Sequence, residues 1–326
     1  MVMMRALASS RVPLAPLALS LALSLALLAP GLAVAQSVED PEANLVEELV
    51  VSAKLPGPAW WRVSDADTTI YILGTLNALP KGATWDTSVL DRRLDGAFAL
   101  ILPPQGRAGI ADIPAMLALR GKLKSDQPLD EAAPELAPRL ARVRAQLGKG
   151  PDSYKGWNPL GAGMLIGAEY QKQARLDGDE PDRTVLRLAR KHRVKTRPAG
   201  IYKAMPMVKA AVRGHSEAAG RLCLEGVLNE VEAGTGAVRA AARAWADGDV
   251  RGAISGPRNF QRCMRSLPGM AEMERKATAD EVAALAEALK TPGHAVALFS
   301  MRGLVAQGGV LDQLRAQGVT VRTPGE

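Results

Sequence analysis

The chain has 326 residues and a mass of 34.4 kDa, with 41 lysines and arginines against 34 aspartates and glutamates, a formal charge of +7. Hydrophobic residues make up 47% and charged residues 23%, which is typical of globular proteins and excludes disordered and collagen-like chains. Two cysteines exclude a disulfide-stapled miniprotein and a cysteine-rich zinc module, and three histidines are too few for most histidine-based metal sites.

The N-terminus has the pattern of a secretory signal peptide covering residues 1–35. Arg5 and Arg11 give it a positive start, residues 14–28 form an uncharged run of mostly alanine, leucine and serine, and an Ala-Val-Ala tripeptide ends at Ala35. This pattern predicts cleavage after Ala35 and a periplasmic or secreted protein. An uncleaved membrane anchor is the alternative, because the uncharged stretch is long enough to span a bilayer. The prolines within the stretch favour cleavage.

The charge balance bears on possible partners. Removing the signal peptide takes away two arginines and no acids, which leaves 39 basic and 34 acidic residues and a net charge of +5. Basic and acidic residues are interspersed, and the densest basic segment, residues 183–197, is typical of a solvated helix face. We therefore expect no nucleic-acid partner, and no membrane partner once the signal peptide is removed.

The two cysteines are interpreted through the predicted export. An even number of cysteines in an oxidising compartment favours a disulfide between Cys223 and Cys263. Two buried free thiols are the alternative. A catalytic cysteine is disfavoured because no histidine lies nearby in the sequence.

The elements that follow the signal peptide begin with a flexible tail over residues 36–57. Residues 60–63 and 68–73 are predicted to form a hairpin across an Asp-Ala-Asp turn, because the second run is β-branched and aromatic. Helical spacing predicts a helix over residues 85–94, and residues 97–102 form a short apolar run typical of a buried strand. We expect this strand to be parallel to the one before the helix.

The middle of the chain is predicted to be helical and its end to return to alternating elements. The predicted helices cover residues 111–123, 134–147, 159–176, 182–191, 205–212, 216–233, 237–246, 279–289 and 309–317, with a shorter one after residue 249. The predicted strands cover residues 194–198, 294–300 and 319–322. This order predicts an α/β (α+β) fold, with one domain over residues 58–326 and a central mixed sheet built from the N- and C-terminal segments around a helical middle.

Ligands of open α/β sheets bind beyond the carboxyl ends of the strands. At the first such end the sequence reads Tyr-Ile-Leu-Gly-Thr-Leu-Asn-Ala-Leu-Pro over residues 71–80, and near the C-terminus Gly-Gly-Val-Leu-Asp-Gln-Leu over residues 308–314. These motifs, with the strand before the second and Gly-Val-Thr-Val after it, resemble the TraB/GumN family. That family is grouped with Tiki-type metalloproteases and is similar to ChaN and erythromycin-esterase-like proteins. The resemblance covers roughly residues 58–324.

The resemblance implies an active site made of a histidine after the early strand, a glutamate after the next strand and a histidine near the C-terminus, with an Arg-Asn pair before the last long helix. This chain departs from that pattern. Asn77 stands at the first histidine, Pro103 at the glutamate and Gly303 at the second histidine, while Arg275 matches the arginine of the pair. Imidazole and carboxylate ligands suit Zn²⁺ or Mn²⁺, so their loss predicts no metal and no cofactor.

These departures predict a non-catalytic binding or interaction protein with an unknown peptide or protein ligand. Its candidate binding residues are Gly74, Thr75, Asn77, Arg275 and Arg302, and Asn77 is equally well explained as a structural residue that satisfies backbone groups. The alternative is a Tiki-like metal-dependent peptidase with rearranged ligands, or a hydrolase that needs no metal. A metal site made from the three histidines has no supporting spacing.

Overall fold

A computed structural model describes residues 55–324. The predicted signal peptide and all but the end of the predicted tail lie outside these residues. The ten strands are β1 (Trp60–Ser64), β2 (Thr68–Thr75), β3 (Leu79–Pro80), β4 (Leu100–Leu102), β5 (Gln105–Arg107), β6 (Leu176–Asp177), β7 (Thr196–Pro198), β8 (Ile201–Lys203), β9 (Gly293–Ser300) and β10 (Thr320–Arg322).

The fourteen helices of the described residues cover the sheet and form most of the middle of the chain. They are α1 (Ser88–Leu94), α2 (Ile113–Lys122), α3 (Leu129–Ala132), α4 (Ala137–Gln146), α5 (Pro159–Gln173), α6 (Glu180–Lys191), α7 (Ala204–Gly214), α8 (Glu217–Ala233), α9 (Thr235–Ala246), α10 (Val250–Ile254), α11 (Asn259–Ser266), α12 (Met270–Ala288), α13 (Met301–Val305) and α14 (Val310–Ala316).

Six strands form one mixed sheet in the order β10-β1-β2-β9-β4-β7. The hairpin of β1 and β2 is antiparallel, β10 adds antiparallel to β1, and β9, β4 and β7 continue parallel to β2. The α/β fold with a sheet built from both ends of the chain is therefore confirmed. The strand after α1 does run parallel to β2, but it does not pair with it. Strand β9 lies between them.

The alternation of side chains along β9 divides the core into two layers. Ala295, Ala297 and Phe299 lie in the cluster on one face of the sheet, while Val296 and Leu298 lie in the cluster on the other, and all five are fully buried. Helices α9, α10, α12, α13 and α14 supply the first layer, and α1 and α6 supply the second. A central parallel strand with both faces covered is apolar throughout, as β9 is.

The helical middle has two apolar clusters of its own. Helices α4, α5 and α8 share one cluster, and α2, α7 and α8 meet in the other. A disulfide between Cys223 of α8 and Cys263 of α11 joins the second cluster, which confirms the predicted pairing. It links positions 40 residues apart in the sequence.

Several elements differ from the sequence predictions. Helix α12 begins at Met270, nine residues before the predicted start at residue 279. Its first half has mixed polar and apolar residues that are mostly half-buried, and it lacks the alanine-rich pattern on which the prediction is based. Helix α11 and the two-residue strands β3 and β6 were not predicted. Strands β5 and β8, also unpredicted, pair in parallel as a separate two-stranded sheet, here called the β5–β8 ribbon.

Candidate functional site

Strands β2 and β9 end side by side at the carboxyl edge of the sheet. Thr75 is paired with Ser300, and its hydroxyl donates a hydrogen bond to the carbonyl of Phe299 at 3.3 Å. The predicted binding residue Thr75 is thus half-buried and holds the two strand ends together. Its side chain has a structural role at this edge.

Gly74 is enclosed by aromatic and apolar side chains. A Cβ atom added there would lie 2.9 Å from Cζ3 of Trp61 and 3.1 Å from Cβ of Met301. The Gly74 carbonyl accepts a buried hydrogen bond of 2.7 Å from Nε1 of Trp245, and the Trp245 ring meets Trp85 edge-on at 5.2 Å. Close packing explains the glycine, which is buried and offers no open surface to a ligand.

Asn77 lies in the turn that follows β2 and is exposed. Its carbonyl is approached closely by Gly178, where an added Cβ would lie 2.8 Å from the Asn77 oxygen. Among the described residues, the Asn77 side chain forms no hydrogen bond. The amide of this predicted binding residue is therefore not engaged by the rest of the described structure.

Pro103 follows the end of β4, where the β5–β8 ribbon begins. Beyond the paired ends of β4 and β7, the Gln105 amide donates to the carbonyl of Gly200 at 2.9 Å, so the two chains continue side by side away from the main sheet. The ribbon extends the carboxyl edge on the side of the sheet opposite β1.

Arg302 and Gly303 lie in α13, directly after β9. The Arg302 guanidinium donates to the carbonyl of Gly256 at 2.8 Å, which directs it across to the loop after α10. A Cβ added at Gly303 would meet no heavy atom of the described residues within 4 Å, so this position faces open space. A glycine is not required here by packing or by a positive φ angle.

Arg275 is exposed on α12, and no hydrogen bond or ion pair of the described residues joins it to Asn77 or to Arg302. The neighbouring Lys276 instead forms an i,i+4 ion pair with Asp280 at 2.8 Å. Asp280 also accepts a hydrogen bond of 2.5 Å from the hydroxyl of Tyr202 on β8. A polar cluster therefore ties α12 to the β5–β8 ribbon.

The cluster contains a carboxyl group that the sequence did not reveal. Glu281 follows Asp280 and lies near Tyr202, and burial raises its pKa from 4.5 to about 7. Among the described residues, the Glu281 carboxyl group has no hydrogen-bond partner. The spacing of Lys276 and Asp280 on one helix face was the available signal for the cluster, and nothing in the sequence distinguished Glu281 from other acids.

The histidines are dispersed and serve local contacts. His192 lies 2.8 Å from Asp91, His215 lies 2.8 Å from the Val212 carbonyl, and His294 lies 3.1 Å from the Arg93 carbonyl.

The donor groups at the carboxyl edge do not fit a transition metal. Asn77, Pro103 and Gly303 offer one neutral amide and no imidazole or carboxylate, whereas Zn²⁺ and Mn²⁺ are held by imidazole, thiolate or carboxylate ligands. Within residues 55–324, no group of three or more histidines, cysteines, aspartates and glutamates is arranged to hold a metal ion. We therefore derive no chemistry through a metal at this edge.

The sheet and its covering helices define an α/β protein, a class in which ligands bind beyond the carboxyl ends of the parallel strands. The sequence pattern of the TraB/PrgY/gumN family matches residues 59–323, and the chain belongs to this family. The resemblance predicted from the two ends of the chain is thereby confirmed. No curated protein and no solved structure is significantly similar to the chain. Over the part of the chain that the structure describes, no helix is long and apolar enough to cross a membrane.

Proposed function

We propose that this chain is a non-catalytic binding protein that holds an extended peptide at the carboxyl edge of its sheet. The observation that carries the proposal is the chemistry of the side chains near the ends of β2, β4 and β9, where Asn77, Pro103 and Gly303 offer no imidazole or carboxylate to bind a catalytic metal. The carboxyl edge itself is well formed, because the ends of β2 and β9 are paired there, and Gly303 next to it faces open space.

The β5–β8 ribbon favours a peptide as the ligand. Its two strands pair only with each other among the described residues, so each has an edge with unpaired amides and carbonyls. Such an edge is a template for an added strand, and main-chain hydrogen bonds then supply affinity for an extended peptide. All three residues of β5 are exposed, which leaves its edge accessible.

Exposed apolar side chains on the ribbon and in the segment that follows β5 would give the site its preference. Ile201 on β8 is 51% exposed, and Ile110 and Ile113, which follow β5, are 85% and 50% exposed. Exposed large apolar side chains that gather in one region mark an interaction surface. The expected ligand is therefore an extended peptide with apolar side chains.

An immobilised library of such peptides tests the proposal, with Ile201→Lys as the variant and Met164→Lys as its control. Met164 is also well exposed, at 57%, but lies on α5 among the helices of the middle. We expect the wild type and Met164→Lys to retain the same peptides, and Ile201→Lys to lose them. Elemental analysis of protein dialysed against Zn²⁺ and Mn²⁺ should find no stoichiometric metal. Stoichiometric metal, or equal retention by both variants, would refute the proposal.

A metal-independent hydrolase is the second candidate, and Glu281 is the observation that favours it. A carboxyl group with a pKa near 7 can exchange a proton at neutral pH and so act as a general acid or base. Cleavage of library peptides that persists with a chelator and disappears in Glu281→Gln would support this candidate. Intact peptides after prolonged incubation with folded wild-type protein would exclude it.

We also propose that the protein is exported. The Cys223–Cys263 disulfide supports this, since disulfides persist mainly in oxidising compartments, and so does the predicted signal peptide. N-terminal sequencing of the protein recovered from its source cells should begin at Gln36. An intact Met1 on the recovered protein would contradict cleavage after Ala35.

A further inference from the structure

A cavity of about 640 Å³ lies where β3, β6 and the ends of α4 and α5 meet the start of α9. None of the predicted site residues lines it. Its lining contains three cationic side chains, Lys81, Arg175 and Arg239, and no aspartate or glutamate. Its size is in the range of small-molecule sites, and the charge of its lining has one sign.

The cations are not engaged with acids elsewhere. Within the described residues, Lys81, Arg175 and Arg239 form no ion pair. Asp177, whose pKa is lowered partly by the charge of Lys81, is already paired with Arg183. Among the described residues, no acid lines the cavity and none is ion-paired with its three cations, so the lining is positively charged and attracts anionic ligands.

Arg175 occupies a backbone position that favours glycine. It follows the C-cap of α5, and its φ angle of 53° lies in the left-handed region. Glycine is the usual residue at this position because any side chain there is unfavourable. The Arg175 carbonyl accepts a 2.7 Å hydrogen bond from the Lys81 amide, so Arg175 also holds the backbone of Lys81, the neighbouring cation, in place. From this position the Arg175 side chain lines the cavity.

Two further features of the lining suit an anion. Thr235 begins α9, a helix of 12 residues whose N-cap, Gly234, offers no side-chain acceptor, so the first amides within the helix are available to a ligand. Tyr170 is 7% exposed, and its buried hydroxyl lacks a hydrogen-bond partner among the described residues. Glu230 acts electrostatically on Tyr170, and burial raises the pKa of Glu230.

We propose that this cavity binds a small organic molecule carrying two or more negative charges, either a phosphate ester or a polycarboxylate. The three cations would contact its anionic groups, and the amides at the start of α9 would donate hydrogen bonds to one of these groups. Gln146 and Gln173, the polar neutral residues of the lining from α4 and α5, are placed to contact uncharged parts of the ligand.

Titration calorimetry with the full chain tests the proposal, using pyrophosphate and citrate as anionic probes and glucose as the neutral probe. We expect pyrophosphate or citrate to bind and glucose not to bind. The anion that binds more tightly shows whether the natural ligand is a phosphate ester or a polycarboxylate. Absence of binding by both anions, or equal binding of glucose, would overturn the proposal.

Arg175→Gly is the decisive variant, and Arg193→Gly is its matched control. Arg193 follows the C-cap of α6 with a φ angle of 59° and does not line the cavity. Both variants remove one positive charge and relieve a left-handed backbone, so both should raise the midpoint of thermal unfolding. Only Arg175→Gly should weaken anion binding, by about tenfold or more. If both variants bound the anion equally weakly, the loss of net charge alone would explain the effect, and a binding site at the cavity would be refuted.

Discussion

Glu281 offers a test of the polar cluster through the pH dependence of stability. Its carboxyl group is largely buried beside Tyr202 and has no hydrogen-bond partner among the described residues, and burial raises its pKa from 4.5 to about 7. Glu281→Gln keeps the size of the side chain but removes the titrating group. The substitution should therefore alter how stability changes with pH, while the packing around the side chain is preserved.

The sign follows from comparing the two states. Below the unfolded pKa, both states are protonated and the raised pKa has its full stabilising value. As the pH rises toward about 7, the unfolded chain releases the proton while the folded chain retains it, so stability is lost. The rise in pKa from 4.5 to about 7 corresponds to a loss of about 3 kcal/mol, an upper value for a group that is not wholly enclosed.

Urea unfolding of wild type and Glu281→Gln between about pH 5 and pH 8 measures this difference. The stability of the variant relative to the wild type should rise from about pH 5 to about pH 7 and then level off. Glu287→Gln is the control, because Glu287 lies on the same helix but is paired with Lys290, and its pKa is lowered. It should not gain stability with rising pH. Parallel curves for Glu281→Gln and the wild type would refute the raised pKa and the second candidate function that depends on it.

Three further predictions concern packing and cross-linking. Replacing Cys223 and Cys263 together by alanine should lower the free energy of unfolding by about 4 kcal/mol in the chain-entropy treatment of a 40-residue loop, measured by urea unfolding. Trp245→Phe should cost about 1–3 kcal/mol, because the buried Gly74 carbonyl loses its donor; calorimetry would detect the lower transition. Gly74→Ala should cost about 1–3 kcal/mol, since its methyl group would press on Trp61, and an unchanged midpoint would contradict the packing described.

The elements with strong local patterns were predictable. In the turn of the β1–β2 hairpin, the Asp65 side chain accepts hydrogen bonds from the backbone amides of Asp67 and Thr68. Aspartate is common in turns because its carboxylate bonds nearby backbone amides in this way. Strand β9 is apolar throughout, which is typical of a buried parallel strand. The disulfide was predictable because only one pairing of two cysteines exists.

The rest depended on contacts between distant parts of the chain. Strand β9 lies between β2 and β4 because it pairs with both, and the choice of pairing partners cannot be seen in the local sequence pattern of any strand. Strands of two or three residues, such as those of the β5–β8 ribbon, are too short to show a period. The raised pKa of Glu281 and the meeting of Lys81, Arg175 and Arg239 arise only after folding has brought separate helices and turns together.

The central placement of β9 has a consequence for how the protein is made. Its partner β2 precedes it by more than two hundred residues, with Thr75 bonded to the carbonyl of Phe299 across a separation of 224 positions. Until the ribosome has completed Gly293–Ser300, the nascent chain holds β2 and β4 with exposed edges and no strand to join them. The sheet therefore cannot be completed before β9 has been made, and a chain that stops short of this strand is left as a substrate for chaperones and proteases.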